Sequence, residues 1–171
     1  MIRQAQITLV LGHAASGKSV WAEELVLSRG AVATYVATAA LWDDDMRAKA
    51  RRHAERRGPE WSLIEGRDDL DAICTEAGAG DILLIDCATM WLTGLMMQDR
   101  DWSAPADAWI AAMARTKAQV VVVSNDIGGG ITPDNALARR FQRAQGALNQ
   151  RLAAAADAVV LVTAGLPQVL K

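Results

Sequence analysis

Short, nearly uninterrupted apolar runs recur along the chain, at Ile7 to Leu11, Ala33 to Ala37, Ile82 to Ile85, Val120 to Val123 and Val159 to Val162. Each is rich in strand formers and bounded by polar or small residues, the pattern of strands buried on both faces. Between them lie stretches with helical spacing: Lys18 to Ser28, Asp43 to Arg57, Asp68 to Ala77, Thr89 to Gln98, Ala106 to Lys117 and Asp134 to Ala156. Strands that alternate with helices predict an α/β fold with a mostly parallel central sheet flanked by helices. The last helix is the best marked. Thr132 is placed to cap it and Pro133 to occupy its first position. Leu137, Phe141, Ala144, Leu148, Leu152 and Ala155 form one apolar stripe facing the sheet. Arg100 to Pro105 reads as an exposed loop.

Composition narrows the class. The chain has 171 residues, of which 51% are hydrophobic and 22% charged, so residues 1–171 are expected to form one globular domain. Its 18 basic and 20 acidic residues give a net charge of −2, too little positive field to gather nucleic acid or anionic membrane. No apolar run approaches the roughly 18 residues of a membrane span, and the amino terminus shows no signal-peptide pattern; a cytoplasmic protein is expected. Cys74 and Cys87 are too few for a disulfide framework or a four-ligand zinc site and read as small buried hydrophobes in a reducing compartment. The six tryptophans, at 21, 42, 61, 91, 102 and 109, follow no period and are assigned no chemistry.

The turn after the first strand carries chemistry. Gly12-His13-Ala14-Ala15-Ser16-Gly17-Lys18-Ser19 satisfies G-x-x-x-x-G-K-S between a strand and a helix. Glycines at 12 and 17 let successive N–H groups face one point, towards which the following helix aims its positive end. A polyphosphate fits there, with Lys18 reaching the β and γ phosphates and Ser19 completing the shell of a bridging Mg2+ ion. Asp86, directly after Ile82 to Ile85, is the candidate carboxylate for that metal; capping of the next helix is its plainer role. In a parallel sheet, residues 12–19, Thr38, Asp86 and Asn125 converge on one crevice.

A second candidate lies in the segment opened by Asp43, Asp44 and Asp45. Its later turns hold Arg47, Lys49, Arg51, Arg52, Arg56 and Arg57, and His53 stands four residues from both Lys49 and Arg57. Cations on either side disfavour the imidazolium, and a neutral imidazole keeps a lone pair able to attack phosphorus. Spacing alone leaves open whether His53 is such a nucleophile or an incidental residue of a solvated basic helix. His13, inside the phosphate loop, is expected to point away from the ligand.

These residues resemble the bifunctional adenosylcobinamide kinase/adenosylcobinamide-phosphate guanylyltransferase family of cobalamin biosynthesis. The matching pieces are residues 12–19, Tyr35-Val36-Ala37-Thr38-Ala39, Asp45-Met46 with His53, Trp61 with Glu65, and Asp86-Cys87 before Trp91-Leu92-Thr93. The most specific piece runs from Ser124-Asn125-Asp126-Ile127-Gly128-Gly129-Gly130 through Pro133-Asp134-Asn135 to Asn149-Gln150. The resemblance implies a RecA-like P-loop fold, a homotrimer, and two reactions. A nucleoside triphosphate, ATP or GTP, phosphorylates the aminopropanol hydroxyl of adenosylcobinamide. His53 then takes GMP from GTP as a phosphoramidate and hands it to the corrinoid phosphate. The resemblance also implies that Ala37, Thr38, Ala39, Ala54, Glu55, Arg56, Arg57, Glu65 and Asp86 touch the nucleotide or its metal.

The chain departs from the family pattern at His13 and Ala15, where glycine and arginine are usual, at Asp126 for glutamate, and at Gln142-Arg143 for Arg-Asp. The alternative reading is a P-loop small-molecule or nucleoside monophosphate kinase in which the arginines of residues 47–57 clamp phosphate and His53 is idle. Asp126 to Gly129 also fits the D-x-x-G of a GTP switch, but no N-K-x-D follows to read guanine.

Overall fold

The computed structural model describes residues 2–30, 33–38, 58 and 60–171. In chain order the elements are β1 (Ile7–Gly12), α1 (Lys18–Leu27), β2 (Ala33–Ala37), β3 (Trp61–Glu65), α2 (Leu70–Glu76), β4 (Ile82–Asp86) and α3 (Ala88–Met97). They continue with α4 (Ser103–Arg115), β5 (Gln119–Asn125), α5 (Ala136–Ala155), β6 (Ala158–Thr163) and β7 (Leu166–Val169). The strands form one seven-stranded sheet in the order β3-β2-β4-β5-β1-β6-β7. Every pairing is parallel except β6 with β7. This is the mostly parallel sheet that the alternating pattern predicts, and it agrees with the RecA-like P-loop fold that the resemblance implies.

The apolar runs become strands because both faces of the sheet are covered. On one face Leu9, Val36, Leu83, Ile85, Val120 and Val122 pack beneath α2 to α5; on the other Val10, Tyr35, Leu84, Val121, Val123 and Val160 lie beneath α1. Burying both sides of a strand removes the polar alternation that marks a half-exposed one. Trp91 of α3 and Trp109 of α4 pack at a centroid distance of 5.3 Å with their ring planes tilted by 58°, and tie those helices together. Cys74 and Cys87 are both buried, as expected.

Local corrections concern starts and edges. The long helix is capped by Asn135, whose Oδ1 accepts from the Ala138 N–H at 2.7 Å, and not by Thr132 with Pro133. The end of that apolar stripe also loosens, since Leu137 is 56% exposed. Helix α4 begins inside the expected loop: the Asp101 carboxylate accepts from the Ser103 and Ala104 N–H groups at 3.2 and 3.0 Å. Those bonds lower the Asp101 carboxyl pKa from its ordinary value, that from Ala104 most. Pro105 then falls in the first turn, where a missing N–H costs nothing. Strands β3 and β7 escape the apolar-run pattern because they are the two edges, exposed along most of their length. Ala164 and Gly165, both at positive φ (52° and 78°), make the tight turn between β6 and β7. The expected helix of residues 43–57 and Trp42 lie outside the described residues.

Candidate active site

The parallel register brings the carboxyl ends of the strands together. Gly12 pairs with Asn125 across β1 and β5, and Ala37 with Asp86 across β2 and β4. Thr38 follows Ala37, so the predicted convergence of the phosphate loop, Thr38, Asp86 and Asn125 on one edge is realised. Strand β5 lies between β1 and β4, so the Asp86 carboxylate comes from the second strand over and not from an immediate neighbour of the phosphate loop.

The loop is closely walled. A Cβ on Gly12 would strike the Ser16 hydroxyl and stand 2.6 Å from the Val162 carbonyl oxygen, so only glycine fits where β1 meets the loop. Gly17 stands at φ 90°, a left-handed conformation that glycine adopts without strain. The Gly165 N–H donates to the Ser16 carbonyl at 2.8 Å, so the β6–β7 turn braces the loop from the side. Helix α1 starts at Lys18 with no acidic residue in its first turn, leaving its positive end uncompensated towards the loop. The Lys18 side chain is buried, 8% exposed, and its Nζ donates to the His13 carbonyl at 3.0 Å. The buried Ser16 Oγ has no hydrogen-bond partner among the described residues.

His13 is exposed and its Nδ1 donates to the Asp126 carbonyl at 2.8 Å, while the Asp126 N–H donates to the Gly12 carbonyl at 3.0 Å. The ring thus fastens the phosphate loop to the loop after β5. At the other side of the edge, the Tyr35 hydroxyl donates to Asp86 Oδ2 at 2.8 Å. Thr38 Oγ1 donates to the Cys87 carbonyl at 2.6 Å and accepts from the Cys87 N–H at 2.7 Å. Glu65 is exposed at the end of β3. Ala39, His53, Ala54, Glu55, Arg56 and Arg57 lie outside the described residues.

Sequence reasoning missed a supporting layer behind the edge. Gln145, fully buried on α5, donates to Ser124 Oγ at 3.0 Å and to Asn149 Oδ1 at 2.9 Å. Ser124 donates to Asn149 Oδ1 at 2.6 Å, and Asn149 Nδ2 donates to the Asn125 carbonyl at 3.0 Å. The Asn125 N–H in turn donates to Thr89 Oγ1 at 2.8 Å. An amide pair one helical turn apart on the sheet-facing stripe was the available signal.

Among the described residues no group of three or more His, Cys, Asp or Glu side chains could hold a metal alone. Ser19 and Asp86 offer a hydroxyl and a carboxylate, hard oxygen donors that suit a magnesium ion sharing its shell with substrate phosphates and water. No helix among the described residues is long and apolar enough to cross a membrane.

Comparison with known proteins finds relatives along almost the whole chain. The chain is 38% identical over 174 residues to the bifunctional adenosylcobalamin biosynthesis protein CobU of Salmonella typhimurium, covering 92% of this chain and 96% of that protein. It is 36% identical over 166 residues to the bifunctional adenosylcobalamin biosynthesis protein CobP of Pseudomonas aeruginosa, covering 95% and 96%. Among solved structures, the flagellar accessory protein FlaH of Methanocaldococcus jannaschii superposes with a TM-score of 0.52 at 13% identity, over 97% of this chain and 78% of that one, a likeness of fold alone. The family model for cobinamide kinase / cobinamide phosphate guanyltransferase matches residues 8–170. With that match spanning almost its whole length and the phosphate loop intact on the sheet edge, the chain belongs to the cobinamide kinase / cobinamide phosphate guanyltransferase family.

Proposed function

We propose that this chain, a transferase, carries out two successive transfers at one sheet edge. It phosphorylates the aminopropanol hydroxyl of adenosylcobinamide with a nucleoside triphosphate, then moves GMP from GTP onto the new phosphate through His53. The observation that carries this reading is the walled phosphate loop, with Lys18 and Asp86 on the same edge, in a chain of this family. A plain nucleotide kinase accounts for the loop but not for the family match. The resemblance further implies a homotrimer, and a chain with only two cysteines, both buried, suits the cytoplasm.

In the first transfer the loop N–H groups and the α1 terminus receive the phosphates. Lys18 exchanges the His13 carbonyl for a phosphate oxygen, which strengthens the bond because both partners are then charged. Ser19 and Asp86 would hold magnesium, which when bound neutralises charge on the phosphate oxygens. The acceptor oxygen attacks the γ-phosphorus, the bond to the β-phosphate oxygen breaks, and the hydroxyl proton leaves to solvent. In the second, the neutral His53 nitrogen attacks the α-phosphorus of GTP and expels pyrophosphate. An oxygen of the corrinoid phosphate then displaces the imidazole, giving adenosylcobinamide-GDP and restoring His53.

GTP labelled in its α-phosphate tests this directly. An acid-labile, alkali-stable protein adduct is expected in wild type and absent in His53→Ala, whose kinase activity should survive. Wild-type protein that forms no adduct defeats the guanylyltransferase half.

A further inference from the structure

Three contacts join the last two strands to the phosphate loop, although nearly the whole chain separates them in sequence. A Cβ on Gly12 would stand 2.6 Å from the Val162 carbonyl oxygen, and a Cβ on Gly17 would stand 3.1 Å from the Gly165 α-carbon. Between these two, the Gly165 N–H donates to the Ser16 carbonyl at 2.8 Å. Gly17 therefore serves twice: it adopts φ 90°, and its bare α-carbon admits the backbone of the β6–β7 turn.

The turn is built to offer that N–H. Thr163 pairs with Leu166, which leaves Ala164 and Gly165 as a two-residue hairpin turn with positive φ at both positions. The flanking pair closes the ladder, so the N–H of the second turn residue takes no part in it and is left for another acceptor. Ala164 holds φ 52°, a conformation in which asparagine or glycine is the ordinary choice and a methyl-bearing residue is strained. The far end of the hairpin is fixed as well. The Val159 N–H donates to the Lys171 carbonyl at 3.1 Å, and Lys171 Nζ donates to the carbonyls of Ala153, Ala154 and Ala156 where α5 ends. A hairpin held at both ends meets the phosphate loop as a rigid wall.

The consequence for the loop follows from peptide geometry. The Ser16–Gly17 peptide is trans and planar, so its C=O and N–H point in opposite directions. With the carbonyl turned to Gly165, the Gly17 N–H is directed away from the turn, into the loop. Among the described residues it has no acceptor. Glycine at 17 resists a peptide flip only weakly. Such a flip would show a carbonyl oxygen, the negative end of the dipole, to an incoming phosphate. The Gly12 carbonyl is held in the same way from the β5 flank, by the Asp126 N–H at 3.0 Å.

We propose that Gly165 is a positioning residue for the nucleotide phosphates: its N–H holds the Ser16 carbonyl outward, so that the Gly17 N–H faces the phosphates before any nucleotide arrives. The assignment rests on the function given above. Arranging the donor in advance removes an ordering cost from binding.

Titration with inorganic tripolyphosphate, which carries phosphates and no base, tests the assignment beside titration with GTP. Gly165→Pro deletes the N–H, and the dissociation constants of both ligands should rise tenfold or more, the loss expected of a hydrogen bond to a charged group. Gly165→Asn keeps the N–H and tolerates a left-handed φ, and its Cβ meets no atom within 4 Å. Both constants should then stay within about twofold of wild type. Should Gly165→Pro fail to fold, Gly165→Val carries the test: a β-branched residue rejects positive φ and draws the donor away from Ser16, so both constants should rise about fivefold or more. A merely structural turn would lower the Tm of the proline and valine variants and leave tripolyphosphate affinity at the asparagine value, which overturns the assignment alone. Weaker GTP binding with unchanged tripolyphosphate binding overturns it in favour of a contact to the nucleoside. Wild-type protein that binds neither ligand overturns both the assignment and the function.

Discussion

The Tyr35 hydroxyl, in the middle of β2, donates a 2.8 Å hydrogen bond to Oδ2 of Asp86 at the end of β4. A phenol so placed fixes the orientation of the carboxylate offered to a metal, and partners of this kind act on metal affinity as well as on stability. Tyr35→Phe should cost about 1 kcal/mol of unfolding free energy and raise the magnesium concentration for half-maximal turnover about tenfold. Asp86→Asn should lower turnover at least a hundredfold at any magnesium concentration. A magnesium titration of Tyr35→Phe that superposes on wild type would leave the bond a structural role only.

Gly12 is held by fixed backbone and not by a flexible tip. Its missing Cβ faces the Val162 carbonyl oxygen at 2.6 Å as well as the Ser16 hydroxyl. The hydroxyl can rotate away; the carbonyl belongs to β6 and cannot. Gly12→Ala should therefore destabilise by about 1–3 kcal/mol, and it should weaken nucleotide binding far more than Gly146→Ala, where a Cβ meets nothing within 4 Å. Thermal denaturation and nucleotide titration of the two variants check the contrast.

How much of this was legible follows from where each signal resides. The central strands were readable because burial on both faces leaves unbroken apolar runs, as at Leu83 to Ile85. The phosphate loop was readable because its glycines and Lys18 have few substitutes. The edge strands were not: Trp61–Glu65 and Leu166–Val169 owe their state to a neighbour strand and carry little burial of their own. Helix α4 starts earlier than its pattern because the Asp101 carboxylate, a local group, outbids the loop reading of Pro105. Of the site, Asp86 was visible as a strand-end carboxylate. The strand inserted between it and the phosphate loop is a fact of topology, which no local pattern encodes. Gln145 was missed because a stripe search counts apolar residues, and its role depends on partners in β5.

The Gln145 and Asn149 pair allows a graded test. Gln145 Oε1 is buried without a partner among the described residues, so Gln145→Leu removes that burden along with two donated bonds. Its cost should be about 1 kcal/mol or less. Asn149→Ala instead strands the Asn125 carbonyl and takes away the acceptor shared by the Ser124 hydroxyl and the Gln145 amide, and should cost about 2–3 kcal/mol. Since Asn125 pairs with Gly12 at the edge, turnover should fall in the second variant and not in the first. Chemical denaturation and kinetics on both variants check the order; equal effects would show that the network positions nothing.

Burial pushes the Cys74 thiol up to about 12 from an ordinary 9.0, with the Trp109 side chain opposing and nearby Asp71 adding slightly. The sign follows from proton counting. Above pH 9 the unfolded chain releases this proton while the folded chain keeps it, so folding is penalised as pH rises. The stability contribution is complete below pH 9 and drains away between pH 9 and 12, at about 1.4 kcal/mol per unit. Other groups titrate in that range, so the measurement is a difference: wild type against Cys74→Ala in denaturant at pH 7.5 and pH 10. The advantage of wild type should shrink by about 1.4 kcal/mol at the higher pH. Native Cys74 should also resist a thiol reagent at pH 8 and react on unfolding, because a buried neutral thiol offers neither thiolate nor access. A gap independent of pH would mean that the thiol ionises as readily inside the protein as outside it.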